Sequence, residues 1–84
     1  MYRVMWTDKA RAELRAIWDA ARPSDDQLLI WAVADIAFRL ERNPGSEGES
    51  RPQNTRVMFS RPLSVLFDIP AGDTVWIHSI WRHA

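Results

Sequence analysis

The sequence predicts an α+β domain of order βααβββ, with a helical hairpin packed on one face of a small, mostly antiparallel sheet. Three observations predict it. The last third, Arg56 to Arg82, holds three short strand-like runs separated by two turns. Two stretches ahead of it repeat apolar residues every three or four positions, the period of a helix with an inward face. A single short run with the period of a strand, Tyr2 to Trp6, precedes both.

In the opening strand Tyr2, Val4 and Trp6 share one face, with Arg3 and Met5 on the other. Thr7 is a natural N-cap, since its hydroxyl can accept from a free amide of the first helical turn. Asp8 in that turn favours the positive end of the helix dipole. The first helix runs to about Ala21, with Ala10, Leu14, Ile17, Trp18 and Ala21 inward. Arg11, Glu13, Arg15 and Asp19 face water, and Arg15 and Asp19 are spaced to pair. Arg22-Pro23 stops the helix, because the residue before proline is pushed out of helical geometry.

Ser24 with Gln27 makes a capping box for the second helix, and Asp25 and Asp26 add negative charge at its start. The helix runs to about Arg42 and ends at Asn43-Pro44-Gly45. Leu29, Val33, Ile36, Ala37 and Leu40 form its core stripe. Trp31, Ala34 and Phe38, with Leu28 and Ile30 around them, form a second apolar stripe that one packed face does not require. Either the first helix covers that stripe or a partner chain does, which makes Trp31 and Phe38 the candidate partner-binding residues and leaves room for a homo-oligomer.

Residues 45–53 (GSEGESRPQ) read as a mobile polar loop. The meander follows. Arg56 to Ser60 is its first run, broken by Arg61-Pro62. Leu63, Val65, Phe67 and Ile69 alternate with Ser64, Leu66 and Asp68 in the second. Pro70-Ala71-Gly72-Asp73 supplies a turn, and Thr74 to Trp81 is the last run. In that run Val75, Ile77 and Trp81 compete with Trp76 and Ile80 for the inside. The opening strand joins the sheet at an edge or beside the last strand. Trp6, Trp18 and Trp31 fit inner faces and supply bulk to a small core.

Composition narrows the function. With 84 residues there is room for one domain, residues 1–84. The absence of cysteine excludes disulfides, a thiol nucleophile and zinc–thiolate sites. Eleven Lys and Arg balance 11 Asp and Glu, so no global field draws the chain to nucleic acid. The longest apolar run, Leu28 to Ala34, is too short to span a bilayer, and no secretory signal is visible, so the chain reads as cytoplasmic and free of membrane. No histidine or carboxylate cluster has metal spacing, and nothing calls for a cofactor. Ser60 and Ser64 lack the glycine elbow of a nucleophilic serine. The one local basic patch is Arg51, Arg56 and Arg61, which could line a groove with Ser64 at its centre or simply blunt a sheet edge. Arg82 could contact a phosphate and His83 move a proton, although both lie where chains commonly fray. His78 reads as a packed or half-exposed strand residue.

Several segments together resemble the RelE/ParE superfamily of bacterial type II toxin–antitoxin systems. They are Trp6-Thr7 leading into Lys9-Ala10-Arg11-Ala12-Glu13-Leu14; Ile36 to Pro44 (IAFRLERNP); Leu63 to Ile69 (LSVLFDI), where the family typically has Tyr-Arg-Val-Leu-Tyr; Gly72-Asp73-Thr74-Val75; and Ile80-Trp81-Arg82-His83. The resemblance covers nearly the whole chain. It implies a toxin of the plasmid-stabilisation kind, held by a cognate antitoxin. RelE-like members cut mRNA on the ribosome and ParE-like members poison DNA gyrase. A RelE-like reading would make Arg82 and His83 catalytic and have Arg51, Arg56, Arg61 and Ser64 meet the RNA or target. The departures favour a ParE-like or degenerate member that acts by binding: the arginine expected in the third strand is Ser64, the net charge is zero, and no tail carrying a tyrosine follows Arg82-His83. A non-toxic interaction module that keeps the fold is the third reading.

Overall fold

The computed structural model describes residues 1–83. Its elements are β1 (Arg3–Trp6), α1 (Asp8–Ala20), α2 (Asp26–Arg42), β2 (Glu49–Arg51), β3 (Thr55–Ser60), β4 (Leu63–Ala71) and β5 (Thr74–Arg82). One five-stranded sheet has the order β1-β5-β4-β3-β2. β2, β3, β4 and β5 pair antiparallel with one another in turn, and β1 lies parallel to β5. The α+β expectation holds, with one more strand than the sequence suggests. β1 takes both of its expected places at once, at an edge and beside the last strand.

Both helices lie on one face, α1 over β5 and α2 over β1, β3 and β4. Ala10 and α2 residues Leu29, Ala32, Ile36 and Leu40 meet Met58, Leu63, Val65, Phe67, Val75, Ile77 and Ile80 from the sheet. Burying each large side chain of this set stabilises the fold by about 1.5–3 kcal/mol. Tyr2, Val4 and Trp6 pack against the cluster, as the alternation of β1 requires, and so do Leu14, Ile17, Trp18 and Ala21 of α1. In α2 the buried stripe is rotated slightly from the expected one: Ala32 is inside, while Val33 and Ala37 are half-buried.

Thr7 caps α1 as expected, accepting from the Ala10 amide at 3.1 Å. The Ser24 capping box does not form. Pro23–Asp25 makes a 3-10 turn, so α2 starts at Asp26 behind Asp25, with no side-chain cap. Proline at the head of that turn fixes the backbone one residue too early for Ser24 to reach the α2 amides. The Arg15–Asp19 pair is also absent among the described residues, where Lys9 and Glu13 pair instead at 3.0 Å.

The expected loop 45–53 carries β2 in its second half. Gly48 makes this approach feasible: its φ is +72°, and a Cβ there would stand 2.3 Å from the Val57 carbonyl oxygen. The turn expected at Pro70–Asp73 is shorter. β4 continues through Pro70 and Ala71, and Gly72-Asp73 alone closes the hairpin, with a positive φ (+62°) at Gly72. Proline is tolerated inside β4 because the register slips between Asp68 and Ala71.

A second slip settles which side of β5 is buried. Leu66 pairs with Ser79 and Phe67 with Ile77, so His78 is an extra residue. The bulge shifts the phase of the strand by one. Val75 and Ile77 face the helices before it, and Ile80 does so after it. Neither strict alternation proposed from the sequence is right: Ile80 parts from Trp76 and His78, and Trp81 is 39% exposed.

Candidate functional site

The face of the sheet turned away from the helices is where a RelE-like site would lie. At its centre a row runs across three strands, Phe59 paired with Ser64 and Ser64 with Trp81. Ser64 is fully buried, and its hydroxyl finds no hydrogen-bond partner among the described residues. Phe59 (51% exposed) and Trp81 flank it. Val57 and Leu66 form the adjacent apolar row. His83 closes one side, its ring edge-on to Phe59 at 5.8 Å. Asp68 and His78 meet at 2.9 Å, the imidazole Nε2 donating to the carboxylate.

The candidate cations do not converge on this face. Arg56 pairs in register with Phe67, whose side chain is in the core, so it leaves the sheet on the helix side. Its Nε donates to the Glu47 carbonyl at 2.9 Å, and its Nη1 to Ser50 Oγ at 3.3 Å. Arg51 donates to Glu49 Oε2 at 3.3 Å and to the Ser50 carbonyl. Arg82 reaches Asp25 Oδ2 at 3.2 Å, tying the end of β5 to the start of α2. Arg61 sits exposed in the β3–β4 turn, with no side-chain partner among the described residues. Only Arg51 and Arg56 share a depression, of about 250 Å³, with Ser50, Asn54, Thr55 and Ile69. His83 is held rather than frayed: its amide donates to the Pro62 carbonyl at 3.0 Å and its Nε2 to the Leu63 carbonyl at 3.3 Å. A carbonyl only accepts, so the proton sits on Nε2 and is already engaged.

The best-built polar chemistry lies elsewhere. Arg39 donates twice to Glu47 Oε1 (3.1 and 2.6 Å), to Asp35 Oδ2 at 3.1 Å and to the Phe59 carbonyl at 3.0 Å. Ser60 Oγ adds a 2.8 Å bond to the same Asp35 oxygen. The Glu47 bonds, then the Asp35 bond, raise the Arg39 pKa against the opposing effect of burial. Glu13, expected to face water, instead reaches β5 just past the end of β1. Its Oε1 accepts from Ser79 Oγ at 3.0 Å and from the Ile80 amide at 3.2 Å. Burial pushes its pKa up, but bonds from Lys9, the Ile80 amide and Ser79 together outweigh that and leave it lowered.

Two apolar surfaces remain. A groove of about 720 Å³ is lined by Trp6, Leu14, Trp18 and Val33, with Arg11, Arg15 and Asp19. The sequence reading gave the apolar residues to the core and the arginines to water, and so missed it. The available signal was Arg11 and Arg15 one turn apart beside Leu14 and Trp18. On the outside of α2, Leu28 (49% exposed), Trp31 (61%) and Phe38 (53%) are uncovered. Trp31 is therefore not part of the core, and α1 does not cover this stripe.

No protein-family model matches the sequence, and no curated protein matches it. Solved structures do. With five strands in this order and two helices on one face, the chain has the fold of the RelE/ParE superfamily, and the resemblance drawn from its sequence holds over its length. It is similar to a chain of the chromosomal ParDE toxin–antitoxin system from P. aeruginosa, at 26% identity and a TM-score of 0.74 over 100% of this chain and 98% of that one. It is equally similar to a chain of the RelBE2 toxin–antitoxin complex from Mycobacterium tuberculosis, at 27% identity and a TM-score of 0.74 over 99% and 98%. No helix among the described residues is long and apolar enough to cross a membrane.

Proposed function

We propose that this chain is the toxin of a type II toxin–antitoxin system, that it acts in the ParE-like manner by binding a protein target such as DNA gyrase, and that a cognate antitoxin neutralises it. One observation carries the choice of binding over cutting. The centre of the open sheet face is a buried serine walled by Phe59 and Trp81. Cleavage of RNA by its own 2′-hydroxyl needs fixed positive charge around the phosphate and a group free to move a proton. Here Arg82 and Arg56 are committed to partners on the helix side or at the β2 edge, and the imidazoles of His83 and His78 donate to Leu63 and Asp68. A face built of Phe59, Leu66, Trp76 and Trp81 instead has the aromatic and aliphatic make-up of a protein-recognition surface.

The antitoxin partner is supported by the likeness to chains from two toxin–antitoxin complexes. The α1 groove suits such a partner. Its apolar wall would take aliphatic anchors, and Arg11 and Arg15, which form no ion pair among the described residues, would take carboxylates of an acidic tail. The equal likeness to the RelBE2 complex is what favours the second reading, a ribosome-dependent mRNA endonuclease.

Purified protein separates the two. Added to ribosomes translating a defined message, it should leave the message intact, and added to gyrase it should inhibit supercoiling. Codon-positioned cuts in the message with unaffected gyrase would overturn the proposal in favour of the endonuclease.

A further inference from the structure

The charges along the α1 groove stand in a fixed order. Leu14 and Trp18, one turn apart and half-buried, form its apolar wall with Trp6 of β1 and Val33 of α2. Arg11, Arg15 and Asp19 follow at four-residue steps along the exposed rim, spanning about 12 Å of helix. Arg15 and Asp19 are spaced to pair, yet none of the three forms an ion pair among the described residues, where Lys9 and Glu13 take that role on α1. The rim therefore reads base, base, acid, with each charge left to meet an incoming group.

The lining also selects the form of the occupant. All of it except Trp6 belongs to the two helices, whose backbone groups are already bonded within each helix. An extended segment would find no backbone partners here, whereas a helix satisfies its own and presents side chains in the same four-residue steps as the rim. A uniformly acidic helix would suit Arg11 and Arg15 but would set a carboxylate against Asp19 beside the apolar wall, where partial loss of water strengthens the repulsion. We propose that Asp19 is the specificity determinant of this groove. Its occupant is an amphipathic helix of the partner, with carboxylates over Arg11 and Arg15, a cation over Asp19, and aliphatic anchors against Trp6, Leu14 and Trp18. This assignment rests on the reading of the groove as the seat of the antitoxin, and adds the charge order that the seated segment must carry.

Three synthetic helical peptides that share one leucine stripe test it. Their charges, at successive four-residue steps, run acid-acid-base, acid-base-acid and acid-acid-acid. The second has the composition of the first and mismatches the rim in either direction of docking. Binding to the purified chain is read by fluorescence anisotropy of the labelled peptide. The first peptide should bind about tenfold tighter than the second and about fivefold tighter than the third. Asp19→Arg should invert the last preference by a similar factor, with an unchanged circular dichroism spectrum because the side chain is exposed. Arg11→Glu combined with Arg15→Glu should abolish binding of the first peptide. Equal binding of all three peptides overturns the assignment, as does binding of none, or a wild-type preference that Asp19→Arg leaves untouched. Growth arrest on expression reports on the toxin reading separately. A chain that arrests growth but ignores charge order is a toxin without this determinant, whereas one that discriminates the peptides without arresting growth keeps the determinant and loses the toxin reading.

Discussion

The seam between α2 and β3 and the open face of the sheet use opposite materials. In the seam one guanidinium, Arg39, holds two carboxylates and a carbonyl, and Ser60 completes the set. On the open face the central polar atom, Ser64 Oγ, finds no partner among the described residues, and apolar and aromatic side chains surround it. A nuclease of this fold would need the reverse, with free cations on the open face. The difference shows that charge in the seam joins α2 to β3, whereas the centre of the open face is built of apolar and aromatic side chains.

Breaking the seam should have the largest effect. Arg39→Ala leaves Glu47 and Asp35 facing each other without their cation, and should lower stability by about 2 kcal/mol, discounted for the partial exposure of the pair. Urea unfolding measures it. Arg39→Lys keeps the charge but loses the fork, and should cost about half as much.

Glu13 comes next. Its carboxylate accepts from the Ile80 amide where β1 no longer pairs with β5, so Glu13→Gln should cost about 1 kcal/mol. The pH dependence fixes the sign. The folded pKa is lowered, so the contribution is complete above the ordinary carboxylate range and is lost as pH falls through the lowered value. Unfolding curves of the wild type and Glu13→Gln should therefore differ at neutral pH and converge in acid. A difference that grew toward acid would contradict this role of the Glu13 carboxylate.

The open face should give the smallest change, and in the other direction. Ser64→Ala removes a buried hydroxyl that has no partner among the described residues, and should leave stability unchanged or raise it by up to about 1 kcal/mol. A loss of similar size would mean that the hydroxyl is engaged after all, and would bring the two regions closer together.

Much of this was legible in the sequence. The period of two in Leu63–Ile69 and the three- and four-residue spacing in the helices gave the element order. Thr7 gave the start of α1, and Ser64 marked the missing arginine. What was not legible depends on contacts distant in sequence. Glu13 looks like a solvated helix residue until β5, 66 residues away, is laid beside it. Arg82 and Asp25 are separated by 57 positions. The bulge at His78 breaks the alternation that would otherwise assign the faces of β5, and no residue type announces it. β2 is short and wholly exposed, so it has no apolar pattern, and its place follows from pairing with β3 and from the freedom of Gly48. The outer stripe of α2 was visible as an excess of apolar residues, but that α1 leaves it uncovered follows only from the packing of the two helices.

The most direct test of the central claim, that this protein acts by binding rather than cutting, is induced expression in a bacterial host, following growth, mRNA ends and DNA supercoiling together. The account predicts growth arrest with intact messages and gyrase-linked DNA damage, unchanged by Arg82→Ala and His83→Ala. Messages cut within codons, with arrest abolished by either substitution, would contradict it.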